Sequence, residues 1–274
     1  MNIQTIIKTL TDAGIENNEA KKEVEMLLEH YCKITPEDLI RGNIPSSEQI
    51  EIIKAKVIER AKKRTPIQYI IGQAWFMGEY FKVTPDVLIP RDETEILVRE
   101  AVKIIKKNEF KNILDIGTGS GCIACSVAKQ TNATVLGVDI SSDALRIALD
   151  NVTKLGINNK AVFRKSDLFD KIRDDEKFDM IISNPPYIPY ETELEPEVRH
   201  EPPNALFAHE NGLEFYKKII EKAPLYLRHG GYLMFELGIN ESKDVKKFME
   251  KDFDNIYIIK DLSSIDRVIA GILK

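Results

Sequence analysis

The chain has 274 residues, 43% of them hydrophobic, with 39 basic against 44 acidic side chains and a formal net charge of −5. That length holds one large domain plus a small one, and no apolar run approaches the roughly 20 residues needed to span a bilayer. The acidic balance is poor material for a duplex-binding face, which must release counterions from phosphates, and three cysteines cannot build a disulfide framework.

The first 14 residues mix Gln4, Lys8 and Asp12 among apolar positions and lack the apolar core of a signal peptide, so the expected location is the cytoplasm. Up to residue 72 the periodicity is helical. Ile3, Ile6, Ile7 and Leu10 share one face, as do Val24, Leu27 and Leu28. Thr35-Pro36-Glu37-Asp38 reads as an N-cap, a proline at the first helical position and acids in the first turn. Ser46 or Ser47 starts a further helix with Ile50, Ile53, Val57 and Ile58 facing inward. Residues 1–72 are thus predicted as a small bundle of four or five helices. Its basic stretch, Lys54, Lys56, Arg60, Lys62, Lys63 and Arg64, reads as the solvated face and last turn of a helix, with a docking patch for an acidic partner as the functional alternative.

The texture changes at Trp75-Phe76-Met77-Gly78-Glu79-Tyr80-Phe81-Lys82-Val83, aromatic and β-branched around a glycine, which predicts a hairpin. Residues 73–90 are taken as a connector. From 91 to 274 helices and strands alternate. Strands are predicted at 112–116, 134–138, 161–164, 178–182, 231–237, 256–260 and 267–272. Helices are expected around Ile96 to Ile105, from Ser120, over 141–155, over 213–227 and over 241–251. Such alternation means a mostly parallel sheet covered on both faces. The last two strands have no helix between them, which implies an antiparallel element at the sheet edge.

Leu114-Asp115-Ile116-Gly117-Thr118-Gly119-Ser120-Gly121 lies where a strand meets a helix. Glycines let the backbone turn tightly and a ligand approach closely. The spacing is not that of the nicotinamide fingerprint, and an acid precedes the first glycine. A pyrophosphate wants a helix N-terminus without a nearby carboxylate. S-adenosyl-L-methionine carries a sulfonium and an ammonium group and no phosphate, and Asp115 at the loop entrance suits it. Asp139, ending the next strand, is placed to accept hydrogen bonds from ribose hydroxyls. After the third strand, Asp167 would take the adenine amino group and Leu168 would pack on the ring. Cys122 and Cys125 form a CxxC but lack two further soft ligands, so they are read as packing residues and no metal is expected.

Ile182-Ser183-Asn184-Pro185-Pro186-Tyr187 follows the fourth strand. Two prolines stiffen the loop and remove backbone donors, leaving carbonyls and the Asn184 side chain as acceptors. An amide nitrogen is a poor nucleophile because its lone pair is delocalised. The Asn184 side-chain oxygen and the Pro185 carbonyl would each accept one of its N–H groups, and Tyr187 would stack on the planar amide. No strong base is needed beforehand, because the proton becomes acidic once nitrogen is alkylated.

These segments resemble the release-factor glutamine methyltransferases, the HemK-type or protein-(glutamine-N5) methyltransferases, over nearly the whole chain. Gln68 to Gly72 with Phe76, Gly78 and Phe81 is similar to the family's hairpin segment. Val87-Leu88-Ile89-Pro90-Arg91-Asp92-Glu93-Thr94-Glu95 is similar to its IPRPETE-type signature, with Asp92 where proline is common. Glu201 to Leu206 and Asp266-Arg267-Val268 also look like family segments, and Leu168 stands where some members have tryptophan. The resemblance implies an α/β fold: a Rossmann-like, seven-stranded class I methyltransferase domain preceded by a helical substrate-recognition domain and the hairpin. It implies methyl transfer from S-adenosyl-L-methionine, giving S-adenosyl-L-homocysteine, to the glutamine of a Gly-Gly-Gln motif in peptide-chain release factors. Asn184, Pro185, Pro186 and Tyr187 would hold the substrate, with Phe76, Arg91 and Glu93 closing over the site.

The nearest rival is a nucleic-acid N6-adenine methyltransferase, which uses a similar loop on an equally conjugated amine and must extract its base. The acidic balance and the lack of a nucleic-acid module argue against it. His30, His200, His209 and His229 are scattered without metal spacing and are expected to be solvated or packed, although His200 lies near the reaction loop in sequence. Residues 188–211, acidic and proline-rich, are predicted to form part of the substrate mouth as a mobile segment. A monomer without membrane contact is expected.

Overall fold

The computed structural model of the chain describes residues 3–274. The early periodicity becomes five α-helices: α1 (Ile3–Asp12), α2 (Asn17–Leu27), α3 (Pro36–Ile40), α4 (Ser47–Lys63) and α5 (Ile67–Ile71). A π-helical turn, Leu28–Cys32, continues α2. Thr35 with Asp38 forms a reciprocal capping box at α3, as Ser46 with Gln49 does at α4. Backbone donors at both helix starts are satisfied that way. Ile6, Leu10, Val24, Leu27, Leu28, Ile53 and Val57 close an apolar core between these helices. Ile58 faces outward instead of inward, at 45% exposure. One residue past Val57, it sits about 100° round the helix from the buried row.

The basic stretch departs further from its reading. Arg60 is fully buried. Its Nε and Nη2 donate to Glu23 at 2.9–3.0 Å, and its Nη1 donates to Glu197 at 2.7 Å. Arg64 adds a 2.6 Å bond from Nε to the same Glu197 oxygen, and its Nη1 reaches the carbonyl of Ala13. Burial raises the pKa of Glu23 against the pull of Arg60. For Glu197 desolvation also acts upward, but hydrogen bonds from Arg64 and Arg60 win and hold the carboxyl at about 2. Acid partners from distant sequence have buried Arg60 and tied the partly exposed Arg64 to Glu197. This helical unit comprises the chain up to Gln73 together with Leu194–His200. His200 belongs to it, with Nε2 2.7 Å from the carbonyl of Lys63.

The second unit comprises Ala74–Glu193 and Glu201–Lys274. It takes in the hairpin of β1 (Gln73–Phe76) and β2 (Glu79–Lys82) from Ala74 onward. Phe76 and Phe81 stack edge to face with centroids 6.0 Å apart. Both lie in one apolar cluster with Leu97, Val98 and Ala101 of α6 (Thr94–Asn108). The segment expected as a connector is, in its hairpin, part of this unit's core.

Behind α6 come β3 (Asn112–Ile116), α7 (Cys122–Gln130), β4 (Thr134–Asp139), α8 (Ser142–Leu155), β5 (Ala161–Lys165) and β6 (Phe178–Ser183). Two-residue strands β7 (Ile188–Pro189) and β8 (Phe207–Ala208) pair parallel across the next loop. Then follow α9 (Glu214–Tyr226), β9 (Leu227–Glu236), α10 (Ser242–Met249), β10 (Phe253–Lys260) and β11 (Asp266–Leu273). The main sheet has seven strands in the order β10-β11-β9-β6-β3-β4-β5. The pairs β4–β5, β3–β4, β3–β6 and β6–β9 are parallel. The antiparallel strand is β11, which slots between β9 and β10 and is not itself the edge. Burial gives the reason. Val268, Ile269, Ala270 and Gly271 of β11 are buried at four successive positions, whereas only Phe253 is buried in β10. A strand apolar on both faces belongs inside the sheet.

Candidate active site

In an open sheet of this kind, ligands bind beyond the carboxyl ends of the strands where the strand order reverses. Here the order reverses between β3 and β6. The loops leaving those two strands are the glycine loop and the Asn184 loop. Ser183 Oγ donates to the carbonyl of Ile116 at 2.7 Å, tying the two strand ends together.

A cavity of about 300 Å³ opens at this edge. Of the residues read as site residues, Gly117, Gly119, Asp139, Asp167, Leu168, Asn184, Pro185 and Pro186 wall it together. Its remaining wall includes Tyr190, Phe207 and His209. Tyr190 stacks on both other rings, with centroids 5.1 Å and 4.6 Å away. His209 therefore faces the cavity, which scattered spacing did not reveal. His200 does not. From the segment 188–211, Tyr190, Pro202, Asn204, Ala205, Phe207 and His209 wall the cavity, and the segment carries structure: the β7–β8 ladder and buried Glu201, which accepts the backbone N–H of Ile89 at 3.0 Å.

The glycine loop is shaped from beneath. Gly117 and Thr118 both donate their backbone N–H to the carbonyl of Val138, at 2.9 Å. Gly119 has φ of 54°, and a Cβ there would meet nothing within 4 Å, so the backbone itself faces open space. Asp139 Oδ2 accepts the N–H of Gly119 and Oδ1 that of Ser141, both at 2.9 Å. Burial raises the pKa of Asp139 despite those bonds.

Four members of the expected cofactor set lie behind the loop. Asp115 is fully buried and accepts the Thr118 hydroxyl at 2.6 Å. Desolvation pushes its carboxyl up to about 7. It is not at the loop entrance: an acid in the penultimate position of a central strand is covered on both sides. Thr118 and Ser120 are buried beside it. Gly121 begins α7, where a Cβ would lie 3.0 Å from the Phe163 ring and 3.1 Å from Ala148. Cys122 and Cys125 are buried in α7, and burial pushes the Cys122 thiol up to about 12.

The three residues expected to close over the site are not among the cavity's described lining residues. Phe76 is buried in the hairpin core. Arg91 pairs with Glu201. Glu93 precedes the first turn of α6. Tyr187 is partly buried against the apolar layer of Phe235 and Leu237, and desolvation raises its hydroxyl pKa beyond the usual tyrosine range.

Two residues went unremarked in the sequence, and a third, Thr94, was named only within its signature segment. Asn151 of α8 is buried. It accepts the N–H of Lys82 at 2.7 Å and donates to the carbonyls of Lys82 and Ser120, at 3.1 and 2.9 Å, so one side chain holds hairpin and glycine loop. An asparagine in an apolar helical row was its signal. Glu236 is buried where β9 ends, visible in sequence as an acid closing an apolar run. Thr94, buried at the start of α6, accepts the Asn184 side-chain N–H at 3.4 Å.

The donor set fits S-adenosylmethionine. Asp86, Asp139, Asp167 and Glu214 line the cavity, with no lysine or arginine among its described lining residues. A phosphate-bearing ligand would want the reverse, and a cationic one is matched. Among the described residues no cluster could hold a metal ion, and no helix is long and apolar enough to cross a membrane.

Comparison with known proteins gives the family of the chain. The family model "Methyltransferase small domain" matches residues 94–265, and "PrmC N-terminal domain" matches residues 3–72. The release factor glutamine methyltransferase of Geobacter sulfurreducens is 40% identical over 269 residues, covering 96% of this chain and 92% of that protein. The Bacillus subtilis protein of the same name is 36% identical, covering 96% and 94%. That of Fusobacterium nucleatum is 46% identical over 80% of this chain, and the match spans 63% of its own length. Among solved structures, a T. thermophilus 16S rRNA N2 methyltransferase (RsmC) with AdoMet and guanosine superposes with a TM-score of 0.55 at 16% identity, over 74% of this chain and 50% of that one. The hMettl16 catalytic domain, bound to an RNA hairpin, gives 0.56 at 17%, over 79% and 81%. At such identity the likeness concerns the fold alone.

Proposed function

The chain belongs to the release factor glutamine methyltransferase family, and we propose that it methylates the side-chain amide nitrogen of the glutamine in the Gly-Gly-Gln motif of a peptide-chain release factor, using S-adenosylmethionine and leaving S-adenosylhomocysteine. The observation that carries this reading is one cavity walled both by Asn184, Pro185 and Pro186 and by Gly117, Gly119, Asp139 and Asp167.

S-adenosylmethionine supplies an electrophilic methyl group. The chain's residues supply position. Asp139 would receive the ribose hydroxyls on lone pairs that its two backbone donors leave free, a carboxylate having about four acceptor sites. Asp167 and Leu168 would take the adenine edge and face. Asn184 Oδ1 and the Pro185 carbonyl would each accept one N–H of the substrate amide, favouring a pyramidal nitrogen with its lone pair turned to the methyl group. Positioning of this kind can supply several kcal/mol of a barrier. Arg91, through Glu201, fastens the cavity wall that carries Phe207 and His209.

We take the helical unit to grip the release factor. We also take the chain to act as a cytoplasmic monomer on protein and not on nucleic acid, in keeping with a net charge of −5 and an acidic cavity wall. The test is methyl transfer from labelled cofactor to release factor, to its Gly-Gly-Ala variant, and to DNA and RNA. Label on wild-type release factor alone, lost with Asn184→Ala, is the expected result. Label on nucleic acid instead would overturn the glutamine assignment.

A further inference from the structure

Four aromatic side chains, Tyr190, Phe207, His209 and Phe215, stand among the cavity's described lining residues. Three of them form one surface. Tyr190 stacks on Phe207 with centroids 5.1 Å apart and 18° between the planes, and on His209 at 4.6 Å and 25°. The short strands β7 and β8 arrange this. They pair parallel, Ile188 with Phe207 and Pro189 with Ala208. His209 is still extended, with φ of −75° and ψ of −179°. Side chains two apart on an extended chain share a face, so Phe207 and His209 lie on one side of β8. Tyr190, one residue past β7, is brought to both. Its ring remains 54% exposed although it is stacked.

The wall is braced from its own backbone. Ile188 donates its N–H to the carbonyl of Leu206 at 2.9 Å, and His209 donates its own to the Glu214 carboxylate at 3.0 Å. A Cβ on Gly212 would lie 2.3 Å from the Tyr187 carbonyl oxygen, so the chain just after His209 lies against the reaction loop. Rings held in place this way lose little freedom when a ligand meets them. Glu214 opens α9, and Phe215 and Ile219 of that helix also line the cavity. Ile219 belongs to the apolar layer on which Leu168 packs. The start of α9 therefore joins His209 to the end of the cavity that holds Asp167 and Leu168.

A planar group with a π-face suits such a wall, because aromatic rings attract one another in offset stacks, and every nucleobase has such a face. The ribose, the carboxylate chain and the sulfonium of S-adenosylmethionine present no flat ring. Adenine does. Leu168 offers the base apolar area but no π-face. We propose that the wall of Tyr190, Phe207 and His209 is the aromatic seat of the cofactor's adenine, with Tyr190 as its central ring. This rests on the reading of Asp167 and Leu168 as the adenine end of the site.

The experiment uses the full chain and S-adenosylhomocysteine. Affinity is read by calorimetry, and the adenine H2 and H8 signals are read by NMR in the complex. This ligand has no sulfonium, so a loss of affinity for it is not a loss of cation–π attraction. Aliphatic neighbours such as Leu168 and Ile140 carry no ring current, so upfield shifts of the adenine protons report aromatic contact. Such shifts are expected with the wild type. Tyr190→Leu keeps apolar area and removes the ring. It is expected to shrink the shifts and to raise Kd about 3- to 10-fold. Tyr190→Phe should restore the shifts and hold Kd within about twofold of the wild type. Equal shifts and equal Kd in the wild type and Tyr190→Leu overturn the proposal. So do shifts that survive Tyr190→Leu and vanish in Phe215→Leu, which give the contact to α9. A release-factor KM that rises in Tyr190→Leu while the ligand Kd stays unchanged gives the wall to the protein substrate and overturns it as well. Should Tyr190→Leu fail to fold, nuclear Overhauser contacts in the wild type decide: adenine protons close to Tyr190 or His209 ring protons support the seat, and none overturns it. If the wild type shows the expected shifts but labels no release factor, the acceptor reading fails and the adenine seat stands.

Discussion

Asp139 Oδ2 accepts the backbone N–H of Gly119 at 2.9 Å, so the acid ending β4 holds the glycine loop that leaves β3. The same carboxylate is the proposed ribose acceptor. Asp139→Ala should therefore weaken cofactor binding twice over, by losing the acceptor and by freeing the loop. Each lost hydrogen bond to a charged group is worth about 1.5–3 kcal/mol. A Kd raised at least about tenfold is expected, read by calorimetric titration of the cofactor. An unaltered Kd would remove Asp139 from the site.

Gly137 sits in β4 under the same loop. A Cβ there would lie 2.5 Å from the Phe163 ring and 2.8 Å from Thr118 Oγ1. Gly137→Ala must displace both, at a cost of about 1–3 kcal/mol typical of overpacking. It also pushes Thr118 off Asp115. Chemical denaturation should show the lost stability, and trimming the ring with Phe163→Leu should recover part of it. No recovery would mean the Phe163 clash is not the cause.

Arg60 is the buried hub of the helical unit. Arg60→Ala strands the buried Glu23 without its partner, and breaking a buried pair costs about 3–5 kcal/mol. Hydrogen exchange in α2 and α4 should accelerate accordingly. Arg60→Met combined with Glu23→Leu should recover most of the loss, since apolar replacement of both members of a pair is often neutral. If the single and double variants are equally unstable, the pair is not what holds those helices.

Asp115 gives a pH dependence of definite sign. Its carboxyl titrates at about 7 in the folded chain, against about 3.9 in an unfolded one. Below about 3.9 both states hold the proton, and the contribution of this group is fully present. Above that, the folded state keeps a proton the unfolded state has released, so stability falls by up to about 1.4 kcal/mol per pH unit until about pH 7. Glu236 and Glu241, also raised to about 7 by burial, act in the same direction. Glu197, held at about 2, acts oppositely and gives up its contribution as pH falls from about 4.3 toward 2. Urea midpoints between pH 5 and 7.5 should decline for the wild type and decline less for Asp115→Asn. Equal slopes would contradict the assigned burial of that charge.

Much of this was legible in one sequence because local rules carried it. The capping residues Thr35 and Ser46, the strand-ending Asp139 and the Asn184 loop follow from chain chemistry alone. What escaped required knowledge of partners far away in the chain. Arg60 looks like a solvated helix residue until Glu23 and Glu197 are brought to it. Asp115 looks exposed until the sheet closes around it. Phe76 reads as a substrate contact as readily as a core ring, because an aromatic residue beside a turn carries no label for which way it points. Strand order is equally non-local: only the two-sided apolar character of β11 against β10 hinted that the last strand goes inside.

The segment Leu194–His200 counts with the helices although its flanks, on both sides, count with the sheet. The chain thus passes between the two units three times, after Gln73, after Glu193 and after His200. No single cut divides the gene into two self-sufficient parts. A fragment ending at residue 73 keeps Arg60 but loses Glu197, and a fragment starting at residue 74 keeps Glu197 but loses both arginines. Exchange of the helical portion between homologous genes would have to carry residue 197 along with residues 60 and 64, so the two stretches are bound to change together.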